Sequence, residues 1–89
     1  MNERIPVPKH IIAGVSKEIL RKLGERLKQH GPGSFIGPHE ILGIITEEYD
    51  ELIDAVRDND YGQVEKELVD IAVGCLFGVA SLRAAGMRR

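Results

Sequence analysis

The sequence predicts an all-α chain of three helices. Apolar residues recur at three- and four-residue steps through three segments, and no segment alternates with period two over a useful length. Punctuation supports the same division: Gly31-Pro32-Gly33 and Asp58-Asn59-Asp60 fall where the periodic segments stop.

Residues 1–8 read as an extended lead-in. Pro6 and Pro8 disfavour helix before them, and Pro8 suits a first helical turn. A first helix is expected over 9–30, with Ile12, Val15, Ile19, Leu23 and Leu27 as its apolar stripe and Lys17, Arg21, Lys22, Glu25, Arg26 and Lys28 off it. Ser34 to Gly37 makes a short loop. The second helix, 38–57, starts at Pro38 and presents Ile41, Ile45, Tyr49, Leu52 and Val56 as its apolar face. Asp60 and Gln63 have the spacing of a capping box for a third helix over 60–85, with Gly86 as its stop. One domain, 1–89, is expected, without internal repeats.

The third helix is amphipathic up to Asp70, then apolar or small on nearly every side from Ile71 to Leu82. A helix that is apolar all round needs burial all round, and two helices of one small chain cannot supply it. Homo-oligomerisation into a four-helix-type bundle, as a dimer or tetramer, is the economical expectation. Gly74 and Gly78 either admit another helix backbone or are simply tolerated in a packed core.

Composition narrows the function. Of 89 residues, 43% are hydrophobic and 29% charged, which is globular rather than disordered. Two Phe, two Tyr and no Trp leave an aliphatic core. A single cysteine, Cys75, excludes an internal disulfide framework and a Cys-based zinc site, and is expected to be a buried small hydrophobe. The run Ile71 to Leu82 is short for a membrane span, and Met1-Asn2-Glu3-Arg4 lacks the apolar stretch of a signal peptide. A cytoplasmic protein without membrane partners is expected. Charge is segregated. Residues 1–34 carry seven Lys/Arg and three Glu, residues 35–70 eleven Asp/Glu and two basic residues, and residues 71–89 three Arg and no acid. That pattern is a poor match for a nucleic-acid polymer. It suits a site that gathers divalent cations, with positive charge nearby for an anionic ligand.

The informative acids are Glu47-Glu48-Tyr49-Asp50-Glu51 on the second helix and Glu67-Leu68-Val69-Asp70 on the third. Glu48 and Glu51 are three residues apart, as are Glu67 and Asp70, so each pair converges on one side of its helix. If the helices pack antiparallel, both pairs meet. Four carboxylates that close cannot all stay ionised without a cation, and Mg²⁺ or Mn²⁺ suits an all-oxygen donor set. A solvated acidic face is the plain alternative. Two details favour the metal: Glu48 abuts the apolar face, and the second helix has almost no basic partners.

These residues resemble the signature of the MazG-type nucleotide pyrophosphohydrolases, part of the all-α NTP pyrophosphatase group that also includes dimeric dUTPases. The family pattern is E-x-x-E, a spacer, then E-x-x-D. Glu48 and Glu51 match its first half, Glu67 and Asp70 its second, with 15 residues between. The resemblance covers about residues 38–82 and implies cleavage of (d)NTP between the α- and β-phosphates, giving (d)NMP and pyrophosphate. It implies that Glu48, Glu51, Glu67 and Asp70 hold Mg²⁺ and that the family's dimers or tetramers form the site between helices. Glu47 matches a common acidic position, with a supporting or water-activating role. The chain departs in its shortness and its lack of Trp, so a helix that closes the pocket is expected from a partner subunit and the base preference stays open.

Other residues have two readings each. Phe35 offers a ring to stack on a base or a cap for the bundle end. Lys66, beside Glu67, is a candidate phosphate contact or a surface lysine. The basic residues of the first helix reach substrate phosphates or form its solvated face, and Arg83, Arg88 and Arg89 complement a helix C-terminus or reach a neighbouring pocket. His39-Glu40 lacks the second histidine of a zinc-protease motif, and no E-x-x-H exists for a di-iron site. His10, His30 and His39 read as solvated. The alternative functions are a non-catalytic helical oligomerisation or adaptor module, and a nucleotide-binding sensor.

Overall fold

The computed structural model describes residues 3–87, and among them the chain forms three α-helices and no strand: α1 (Lys9–His30), α2 (Pro38–Arg57) and α3 (Tyr61–Met87). Met1, Asn2, Arg88 and Arg89 lie outside the described residues, and with them the suggested roles of the last two arginines.

Each boundary has a local cause. The Pro8 carbonyl accepts the first amides of α1, from Ile11 and Ile12. Gly31 ends that helix at φ 78°, a left-handed conformation that glycine adopts without steric cost, and its N–H returns to the Leu27 carbonyl at 2.8 Å. Pro38 opens α2, where its missing N–H is no loss. At the other end, Asn59 takes φ 54°, its N–H bonds Val56 O at 3.1 Å and the Asp60 N–H bonds Ala55 O at 3.1 Å. That is a Schellman closure with asparagine in the glycine position.

Asp60 Oδ1 then accepts the Gln63 N–H at 3.1 Å, which caps α3. The reciprocal half of the expected capping box is absent. The Gln63 amide turns forward to Glu67 Oε1 at 2.5 Å, because a buried carboxylate is the stronger acceptor. Nor does Gly86 stop α3, which runs on to Met87; without a positive φ, one glycine weakens a helix but does not end it.

The short connection makes α2 and α3 antiparallel neighbours, and α1 packs on α3 but not on α2. Burial along α2 follows Ile41, Ile44, Ile45, Glu48, Leu52 and Ala55. Tyr49 and Val56, expected on that face, are 55% and 56% exposed. The packed face is rotated from the most hydrophobic one, with Glu48 at its centre. On α3 the packed seam is Gln63, Glu67, Asp70, Gly74, Gly78 and Ser81. Its larger apolar residues Leu68, Leu76, Val79 and Leu82 stay exposed, and so does Cys75, which is not the buried residue the sequence suggested. The reason is steric: α2 lies along the glycine side, where a Cβ on Gly74 would stand 3.1 Å from Ile45 Cδ1 and one on Gly78 3.2 Å from Ile41 Cγ2. The helix admitted by the glycines is therefore α2 of the same chain.

Only the C-terminal half of α1 finds cover, through Ile19, Leu23 and Leu27, while Ile12 and Val15 of the expected stripe remain exposed. The radius of gyration is 15.3 Å, against about 12 Å for a compact chain of this length. Within Tyr61–Gly86 an 18-residue stretch has a mean hydropathy of 1.7, so α3 is long and apolar enough to cross a membrane, contrary to the expectation from the shorter run alone. The same helix carries Glu67 and Asp70 on its packed seam.

The glycine seam makes a prediction. Gly78→Val places two methyl groups against Ile41 and should destabilise the fold by about 1–3 kcal/mol, whereas Gly78→Ala asks the side chain to yield only a few tenths of an ångström. Urea midpoints should fall in the order wild type, Ala, Val.

Candidate metal centre

Glu67 is the fully buried large side chain of the molecule, at 1% exposure. It sits on α3 where α2 brings Glu48 across, and Asp70 follows one turn later on the same seam. One carboxylate oxygen from each of Glu48, Glu67 and Asp70 lies within 4.8 Å of the others. Ligands at about 2.1 Å from one Mg²⁺ are separated by about 3–4 Å, so the spacing admits a shared cation after small side-chain adjustments.

Glu48 Oε2 and Glu67 Oε2 are buried and have no hydrogen-bond donor when both groups are ionised. Two orphaned anionic oxygens facing each other need a proton or a cation between them. The titration behaviour says the same. Burial, then the hydrogen bond to Glu67, then the charges of Asp70, Glu51 and Glu67 push the Glu48 carboxyl up to about 7. Burial pushes Glu67 upward too, but hydrogen bonds from Glu48, Glu51 and Gln63, with the Lys66 charge, outweigh it and hold Glu67 below the ordinary carboxylate range. Glu67 is therefore the ionised acceptor, and Glu48 the proton carrier when no cation is present. The donors are all hard oxygens, which fits Mg²⁺ or Mn²⁺ and disfavours softer metals.

The other acids flank this set. Glu51 lies outside the tight trio and on the solvent side of Glu67, whose hydrogen bond and charge raise its carboxyl above the usual range. Glu47 is exposed on α2. Lys66 is exposed, with Nζ 3.9 Å from Asp70 Oδ2. From α1, Lys22 Nζ approaches Asp70 Oδ1 at 3.4 Å, so Asp70 is held by two lysines from different helices. Phe35 is half-buried, in a T-shaped contact with Phe77 at 5.0 Å between centroids, and its ring carries the Arg26 guanidinium 5.6 Å from its centre.

Lys22 and Arg26 were visible in the sequence only as members of a basic helix face. Nothing local in the sequence marks Phe77 or Ser81, whose partner Phe35 is 42 or more positions away.

The pattern of the acids is that of a known family. A family model for the MazG nucleotide pyrophosphohydrolase domain matches residues 37–86, more than half of the chain. The chain belongs to that family. The match spans α2 and α3 and hence every acid of the MazG centre, while α1 and most of the loop after it lie outside. Comparison with curated proteins and with solved structures finds no match.

The pH dependence of the metal-free protein follows from these shifts. Glu48 titrates near 4.5 unfolded and near 7 folded, so between those values the folded state holds the extra proton. Stability should fall as pH rises from about 4.5 to about 7. Glu67 acts in the opposite sense at the acid end, where its contribution is lost as pH drops below 4.5. Urea midpoints measured in EDTA across pH should show both limbs. Glu48→Gln should flatten the upper one.

Proposed function

We propose that this MazG domain is a divalent-metal-dependent pyrophosphohydrolase of (d)NTP, acting as a homo-oligomer. The observation that carries the reading is the pair of buried carboxylate oxygens on Glu48 and Glu67 that have no donor when both groups are ionised, with Asp70 beside them.

Mg²⁺, or Mn²⁺ in its place, bound by Glu48, Glu67 and Asp70 with Glu51 on the solvent side, would screen the phosphate charge and lower the pKa of water at the site. The chain's own part is largely pre-organisation. Packing of α2 on α3 fixes the acid positions before substrate arrives, so little reorganisation accompanies the reaction. Glu47, exposed on α2, would take the proton of the attacking water. Lys66 steadies Asp70 and stands at the rim for a phosphate oxygen. One water is consumed at the α–β anhydride: its oxygen ends on one phosphorus, the bridging oxygen leaves with the other, and the proton passes to carboxylate. The products are (d)NMP and pyrophosphate.

The same reading places the protein in the cytoplasm with the nucleotide pool, and sets the exposed apolar face of α3 against a second copy rather than against lipid. Leu76, Val79 and Leu82 on α3, with Ile11, Ile12 and Val15 on α1, form more uncovered apolar surface than a stable monomer of this size carries comfortably.

Product analysis on a panel of NTP and dNTP tests the catalytic claim. Wild type with Mg²⁺ should give monophosphate and pyrophosphate, and EDTA should stop it. Glu48→Gln and Asp70→Asn should reduce turnover to background while retaining helix content. Mg²⁺ at 100 times its Kd should stabilise wild type by about 2.7 kcal/mol. Equal turnover in EDTA, or unfolded variants, would sink the claim.

The assembly is checked separately. Val79→Glu with Leu82→Glu should convert an oligomer in sedimentation to monomer, and a wild type that already sediments as monomer would remove this part of the proposal.

A further inference from the structure

Two clefts meet at α1. One, of about 260 Å³, lies over the carboxylates and is bounded by Lys22, Arg26, Glu48 and Asp70 among others. The other, of about 250 Å³, is bounded by Arg26, Glu40, Phe35 and Phe77 among others. Arg26 and His30 belong to both.

The two α1 cations on the carboxylate cleft differ in their commitments. Lys22 pairs with Asp70. Arg26, one helical turn further on, makes no ion pair and no hydrogen bond to a protein group among the described residues, although Glu25 beside it pairs with Arg21. Its guanidinium rests instead on the Phe35 ring. That ring is itself held: Phe77 meets it at an interplanar angle of 89°, and the Phe35 N–H donates to the buried Ser81 Oγ at 3.0 Å. A guanidinium held near an aromatic face and without an acceptor of its own has donors to offer and less freedom to lose on engaging an oxyanion.

Charge completes the argument. Three carboxylates outweigh one divalent cation, and a polyphosphate adds several more negative charges. On that cleft Lys22 is engaged by Asp70, and Lys66 lies outside the lining, on the other side of Asp70. Arg26 is the cation on that cleft with its donors unspent.

We propose that Arg26 binds a phosphate of the substrate, and that Phe35 is a positioning residue that acts through Arg26 rather than a platform for the base. The ligand chemistry is a di- or triphosphate chain, whether the tail of a nucleotide or free pyrophosphate. This rests on the nucleotide reading above, and it adds a helix that lies outside the residues matched by the family.

The experiment pairs calorimetric titration of inorganic pyrophosphate in Mg²⁺ with kcat and KM for the four NTPs. Arg26→Gln should weaken pyrophosphate binding about tenfold or more and raise KM by a similar factor whichever the base. Phe35→Leu should reproduce part of that loss, equally for every base, and Phe35→Tyr, which keeps the ring, should recover most of it. Mn²⁺ binding without phosphate should be the same in all four proteins, whereas a merely structural defect would weaken it too.

Pyrophosphate affinity unchanged by Arg26→Gln overturns the proposal. So does a Phe35→Leu defect that differs between purines and pyrimidines while pyrophosphate binding is intact. A wild type that binds pyrophosphate through Arg26 but hydrolyses no NTP upholds this inference and removes the catalytic reading instead.

Discussion

Everything at the centre of this chain follows from burying Glu67. A carboxylate withdrawn from water loses solvation worth several kcal/mol, on the order of the whole stability of a small domain. The protein offsets this with the Gln63 amide, the Lys66 charge and a proton on Glu48. The compensation is incomplete, because removing that proton leaves buried oxygens on Glu48 and Glu67 without donors. On the proposed reading a cation would relieve this arrangement, and stability and function would be opposed at one place, as expected where a site is built before its ligand arrives.

The same constraint explains why α3 looks turned inside out. Its packed seam is Gln63, Glu67, Asp70, Gly74, Gly78 and Ser81, and its leucines face away. The acids must meet Glu48, and the glycines let α2 come close enough for that meeting, with Ile41 and Ile45 filling the space where side chains would stand. Once that face is committed to the site and α1 and Phe35 have covered Val73 and Phe77, Leu68, Leu76, Val79 and Leu82 stay exposed among the described residues. The exposed leucines are thus a geometric consequence of the carboxylate site. The assembly proposed above would couple to the site through the two faces of one helix.

How much of this was legible in the sequence depends on the range of the signal. The three helices are written in local periodicity, with Gly31, Pro38 and Asn59 marking ends by backbone preferences that need no tertiary knowledge. The acids of the centre stood out because two i, i+3 pairs lie on consecutive helices. The rotation of α2 did not, because a hydrophobicity pattern assigns Tyr49 and Val56 inward and cannot know that Glu48 must be. Cys75 is exposed against its local pattern for the same reason: an apolar stretch says that burial is required, not which partner supplies it. The turn of Gln63 toward Glu67 in place of its cap is another tertiary decision, made by an acceptor whose burial no short window reveals.

The first helix shows where legibility ends and why that matters for chemistry. Its stripe predicts one continuous buried face, but α3 covers only the half that carries Ile19, Leu23 and Leu27. The half that is held carries Lys22 and Arg26 to the carboxylate cleft, and the half that is not held keeps Ile12 and Val15 in the open. The acids and Lys66 come from the α2–α3 hairpin and Lys22 and Arg26 from α1, and packing onto α3 joins them. Lys22 and Arg26 reach the acids only when α1 docks, so the polyphosphate contact proposed for Arg26 would depend on the weakly covered helix.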